Sequence, residues 1–135
     1  MSTKLKRGDR IDILAPSSFI EKEEDFAKGI EILRTWGLEI NENKCLSKRF
    51  GYFAGDDITR FQELEKARDS KLIIFAKGGW GSARILEKEP NWGNGFMLGF
   101  SDTCSLLLSK YSQGNSGSIH GPMVSSHPRE PKWSL

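Results

Sequence analysis

Five consecutive apolar residues, Leu72-Ile73-Ile74-Phe75-Ala76, run directly into Lys77-Gly78-Gly79-Trp80-Gly81. A run this short and this apolar, closed by a glycine-rich turn, reads as a buried strand. Strand side chains alternate between two faces, so a strand that is apolar throughout needs cover on both. A parallel sheet with helices on either side meets that need.

The rest of the chain supplies strands and helices in alternation. Arg10 to Ala15 reads as a first strand, ended by Pro16-Ser17-Ser18. Phe26, Ile30, Leu33 and Trp36 fall at helical spacing, which predicts a helix from about Glu21 to Trp36 with Gly37 just beyond its end. Leu38 to Ile40 suits a short second strand, and Lys44 to Phe50 reads as loop. A helix is expected over Ile58 to Arg68, capped by Asp56 or Asp57. Ser82 to Lys88 is the helix expected after the central strand. The apolar run opening at Phe96 is another strand, Leu106 to Leu108 begin a buried helix, and Ile119 to Met123 resemble a strand end. Ser125 to Pro131 form a polar, proline-broken tail. The alternation predicts an α/β fold. Ligands of such sheets bind beyond the carboxyl ends of the strands. The turns Pro16–Ser18, Lys77–Ser82 and Phe100–Asp102 should therefore share one rim.

Two of those turns carry chemistry. Ser101 stands between a strand and a helix, where α/β hydrolases place a nucleophile above the sheet and N–H groups of the next helix face a developing oxyanion. The G-x-S-x-G pattern is incomplete, because Thr103 occupies the place of its last glycine. A serine there more commonly serves as a helix N-cap. Asp102, adjoining it, is expected to point away and serve the turn or a helix N-terminus. Lys77 to Arg84 can bare backbone N–H groups to a phosphate, carboxylate or oxyanion. It lacks the G-K-[ST] of a P-loop, and Arg84 replaces the last glycine of G-x-G-x-x-G. Three glycines in one tight turn favour close approach of backbone to a ligand. A base for Ser101 would have to come from two histidines: His120, at an expected strand end, either shares the rim or is structural, and His127, in the tail, should be solvated.

Composition narrows the classes. The 135 residues allow one domain with a core, and 37% hydrophobic with 28% charged residues describe a folded globular chain. Twenty basic and 18 acidic side chains, net +2, are mixed without a basic stripe, so nucleic acid is not an expected partner. No run approaches transmembrane length, and Met1 to Arg7 lack the apolar segment of a secretory signal, so no membrane partner and a cytoplasmic location are expected. Cys45 and Cys104, far apart and without C-x-x-C spacing, are expected to be buried thiols. No metal-ligand spacing is present.

Several pieces in order resemble one family. Gly8-Asp9 with Ile11, Ile13 and Ala15-Pro16-Ser17-Ser18, then Gly51-Tyr52-Phe53-Ala54-Gly55-Asp56-Asp57 with Arg60, are similar to the opening of the serine LD-carboxypeptidases. Lys77-Gly78-Gly79-Trp80-Gly81-Ser82-Ala83-Arg84, Gly99-Phe100-Ser101-Asp102 and His120-Gly121-Pro122-Met123 continue the resemblance, which runs from about residue 5 to 124. This family includes muramoyl-tetrapeptide carboxypeptidases of murein recycling and microcin C resistance hydrolases. The resemblance implies a parallel sheet flanked by helices, of the flavodoxin-like or class I glutamine-amidotransferase-like kind. It implies Ser101 as nucleophile and an oxyanion hole from the N–H groups of Asp102 and Gly79. Gly78, Trp80, Gly81, Ser82 and Ser17 would contact a murein-derived peptide, with no cofactor and no metal. Lys77 stands where arginine is usual, keeping the charge but not a bidentate contact.

The family is about twice this length or more, and the resemblance puts the triad's glutamate and histidine in a C-terminal domain. Neither His120 nor His127 matches that histidine. The expected organisation is therefore an N-terminal nucleophile domain over residues 1–124 and the start of a linker over 125–135, with the C-terminal domain absent. Such a chain alone is expected to be inactive or weak, and to self-associate through an exposed inter-domain face. Two other classes remain open: a non-catalytic module that retains a peptide or carboxylate at the glycine turn, and a nucleotide-binding flavodoxin-like domain.

Overall fold

A computed structural model describes residues 4–134, apart from the side chains of Lys44, Cys45 and Ser134. Five strands, β1 (Arg10–Leu14), β2 (Glu39–Glu42), β3 (Leu72–Phe75), β4 (Phe96–Gly99) and β5 (Ser118–His120), form one parallel sheet in the order β2-β1-β3-β4-β5. The helices are α1 (Glu23–Thr35), α2 (Asp57–Lys66), α3 (Ser82–Leu86) and α4 (Cys104–Ser112). This is the flavodoxin-like order, whose reversal of direction lies between β1 and β3.

β3 explains why the sheet needs two covers. Leu72, Ile74 and Ala76 join Ile11 and Ile13 of β1 in a core beneath Ile30 and Leu33 of α1. Ile73 and Phe75 point the other way, into a core with Leu64, Ile85, Leu106 and Leu107 of α2, α3 and α4. The period of two thus divides one apolar run between two cores.

The elements fall close to expectation, with ends shifted by one to three residues. Asp56 caps α2, accepting from the Thr59 N–H at 2.8 Å. β2 runs on to Glu42, a 3₁₀ turn over Lys44–Ser47 occupies part of the expected loop, and β5 ends at His120. Cys104 is a free, half-buried thiol; the Cys45 side chain lies outside the described residues. Among the described residues no helix is long and apolar enough to cross a membrane.

The tail departs most from the sequence reading. Val124–Arg129 form a 3₁₀ helix packed against α1, where a Cβ on Gly29 would lie 2.0 Å from the Val124 carbonyl oxygen. His127 is 2% exposed, not solvated: its Nε2 lies 3.1 Å from the Pro122 carbonyl and its ring tilts against Trp36 at 5.8 Å. Apolar neighbours in sequence, Met123 and Val124, plug into the two cores and carry the polar residues after them onto the domain.

Candidate active site

The three turns do share one rim. The turn after β1 meets the glycine turn after β3 through Ser18, whose N–H and hydroxyl both donate to the Gly78 carbonyl, at 3.3 and 2.7 Å. The glycine turn in turn meets the β4–α4 turn, since a Cβ on Gly78 would lie 3.3 Å from Ser101 Oγ and 3.5 Å from Asp102 N. Any side chain on Gly78 would crowd the serine.

Ser101 has φ +59°, one of two non-glycine residues described with positive φ. This left-handed conformation costs an L-residue with a Cβ roughly 1–2 kcal/mol. It sits at the start of a 3₁₀ turn, Ser101–Thr103, that leads into α4. Beneath it Thr103 is fully buried and donates to the Phe100 carbonyl at 2.8 Å. The residue replacing a pattern glycine is thus a brace under the turn. Among the described residues no hydrogen bond engages the Ser101 hydroxyl, so Ser101 is not an N-cap here. Asp102 N follows as one of the first N–H groups of the new helical segment, which have no intrahelical acceptor.

Asp102 does serve a helix N-terminus, but that of α3 rather than its own. Its Oδ2 accepts from the Ser82 N–H at 3.0 Å and from the Ser17 hydroxyl at 2.7 Å. Its carbonyl accepts from the Ser82 and Ser105 hydroxyls at 2.6 and 3.0 Å. Ser17 and Ser82 are fully buried with their hydroxyls turned to Asp102, beneath the turns. The carboxylate takes the Ser17 hydroxyl and the Ser82 N–H, and the Asp102 carbonyl takes the Ser82 hydroxyl, so these buried polar groups are satisfied.

Arg60 is the residue the motif reading left without a role. It is 1% exposed and donates to the carbonyls of Gly55, Pro16 and Gly81, at 3.0, 2.5 and 2.8 Å, while Nη2 pairs with Asp57 at 2.5 Å. One guanidinium therefore fastens the β1 turn, the glycine turn and the start of α2 together. Buried arginine has no distinguishing mark in sequence.

A cavity of about 340 Å³ opens over these turns. Gly78, Gly79, Phe100 and Ser101 form its floor, the segment Ile20 to Asp25 one wall, and Met123, Ser125, Ser126 and Arg129 the other. Lys77 faces it, paired with Glu21 at 3.8 Å. Trp80 and Gly81, expected at substrate, lie off the cavity: Trp80 is 70% exposed, and Gly81 packs toward Phe53 and Arg60. His120 is exposed on β5, its ring edge-on to Phe100 at 6.3 Å. Neither histidine lines the cavity.

Comparison with known proteins finds relatives over most of the chain. The LD-carboxypeptidase N-terminal domain model matches residues 11–121. A protein of Synechocystis sp. named as a carboxypeptidase is 38% identical over 97% of this chain and 45% of its own length. One of Bacillus subtilis named as a murein peptide carboxypeptidase is 31% identical over 90% of this chain and 40% of its own. The crystal structure of an MccF-like protein from Bacillus anthracis superposes with a TM-score of 0.85 at 27% identity, covering 95% of this chain and 42% of that one. The chain spans less than half the length of the relatives it matches. That match over residues 11–121, together with these relatives, shows that the chain belongs to the LD-carboxypeptidase family, in its N-terminal domain.

Proposed function

We propose that this chain carries the nucleophile of a serine carboxypeptidase that cuts the L,D-peptide bond before a terminal D-alanine of a murein tetrapeptide, in cytoplasmic cell-wall recycling. The observation that carries the reading is Ser101 held at φ +59° against a glycine whose missing side chain leaves its hydroxyl clear. Strain kept at a single side chain is a mark of function. The Bacillus subtilis relative's name supports the substrate class.

In this reading Ser101 Oγ attacks the scissile carbonyl carbon as a base takes its proton. The N–H groups of Asp102 and Gly79 donate to the oxyanion. Collapse expels the D-alanine amine, which receives the proton, and leaves an acyl-serine that water hydrolyses. The base and its glutamate partner are supplied from outside these residues, consistent with His120 and His127 lying off the cavity. Phe50, Tyr52 and Trp80 are exposed around the rim. That apolar surface suits a second domain or a second copy of this chain.

The test is covalent labelling with a fluorophosphonate, comparing the chain with Ser101→Ala. Slow labelling that vanishes in the variant supports an oxyanion hole built here, and a large rate increase on adding the C-terminal half of a relative would complete the case. Equal labelling of both proteins would refute Ser101 as nucleophile. Peptide binding without any labelling would favour a non-catalytic module.

A further inference from the structure

We infer that Arg129, with the hydroxyl of Ser125, is the subsite for the free carboxylate of the leaving residue. This deepens the carboxypeptidase reading and rests on it. A carboxypeptidase must distinguish a chain end from a chain interior, and the terminal carboxylate is the group that differs.

Three observations place that recognition on the wall formed by Met123 to Arg129. The Ser125 N–H donates to the Ala76 carbonyl at 3.0 Å, pinning Ser125 to the end of β3, two residues before Gly78. Ser125 lines the cavity, and its hydroxyl is buried and has no hydrogen-bond partner among the described residues. A buried polar atom left unmatched is costly, and an acceptor brought by a ligand would recover that cost. Arg129 lines the same cavity, and its guanidinium makes only a 3.4 Å contact to the Ser125 carbonyl, with no carboxylate partner among the described residues.

The other charges on the cavity are less available or of the wrong sign. Lys77 is paired with Glu21, Asp25 and Glu21 repel an anion, and Lys22 stands exposed at the start of α1. A planar fork suits both oxygens of a carboxylate at once, where an ammonium acts as a point charge. Arg129 would hold the carboxylate by two N–H donors while Ser125 donates to one of its oxygens.

The experiment titrates acetyl-L-alanyl-D-alanine, its C-terminal carboxamide and inorganic phosphate into the ¹⁵N-labelled 135-residue chain. The expected result is that the acid shifts amide signals of Gly78–Gly79 and Ser125–Arg129, at least tenfold more tightly than the carboxamide. Arg129→Gln should remove that preference, Arg129→Lys restore part of it, and Ser125→Ala weaken the acid alone. Arg129 is exposed, so its variants should keep the native spectrum, which serves as the folding control. Equal binding of acid and carboxamide, absence of binding by either, phosphate binding as tight as the acid, or a preference that survives Arg129→Gln would each overturn the subsite. Fluorophosphonate labelling of Ser101, read on the same samples, separates a failed subsite from a failed nucleophile.

Discussion

Two turns of this domain do the same topological work with opposite chemistry. After β3 the chain crosses to α3 through Gly79 and Gly81, at φ +107° and +115°; after β4 it crosses to α4 through Ser101, at φ +59°. In the first turn a side chain is excluded, because a Cβ on Gly79 would sit 2.5 Å from Ser18 Oγ. There the group our proposal uses is a backbone N–H, and glycine supplies the left-handed conformation without strain. In the second turn the group our proposal uses is a hydroxyl, so a Cβ must stay and the strain with it. The lesson is that backbone chemistry selects a relaxed turn and side-chain chemistry a strained one, held by the packing around it.

The sharpest way to break that comparison is to make the second turn like the first. Ser101→Gly should abolish fluorophosphonate labelling while stabilising the fold by about 1 kcal/mol, read as a higher Tm. A lower Tm would mean that the serine conformation is not strained. Next in size is Arg60→Met, which leaves three buried carbonyls and Asp57 without their shared donor. A loss of about 3 kcal/mol in denaturant unfolding is expected, and both turns should loosen together. Loss confined to α2 would show that Arg60 does not couple them.

Within the glycine turn two alanine variants should separate. Gly79→Ala meets both positive φ and Ser18, and should cost about 2 kcal/mol or more in stability. Gly78→Ala meets only Ser101 and Asp102, at 3.2–3.5 Å, so it should change stability by under about 1 kcal/mol yet slow labelling at least about tenfold. If the two behave alike, the glycines share one structural role. The smallest effect lies away from both turns, at His127, whose imidazole pKa burial pushes below its ordinary value. The unfolded chain therefore binds the proton first as pH falls. Stability should be full above about pH 6.5 and decline on acidification through the window down to the lowered folded pKa. His127→Gln should flatten that slope in Tm measured from pH 7.5 to 5.

Much of the site was legible because its signals are local. The apolar run 72–76, the glycines after it and the serine between strand and helix each lie within a few residues, and the motifs they form resemble the family to which the chain belongs. What stayed hidden involves distant partners. Ser17 and Ser82 look available in sequence, yet Asp102 draws both hydroxyls beneath the site. Arg60 looks like one more basic residue on an amphipathic helix, yet it is the fastening of three segments. The tail looks polar and proline-broken, yet Val124 anchors it against α1 and its far side becomes a wall of the cavity.

Periodicity, turn chemistry and the order of motifs were thus enough for the sequence to determine an α/β sheet covered on both faces, and for its turns to meet at the carboxyl rim. These follow from side-chain direction, which repeats every two or 3.6 residues and needs no knowledge of neighbours. Only the tertiary structure decided which polar groups face the cavity and which are consumed below it. Hydrogen-bond partners 20 to 85 residues apart converge on shared groups, the Asp102 carboxylate and the Arg60 guanidinium, and that convergence is settled by where the packed elements leave each group.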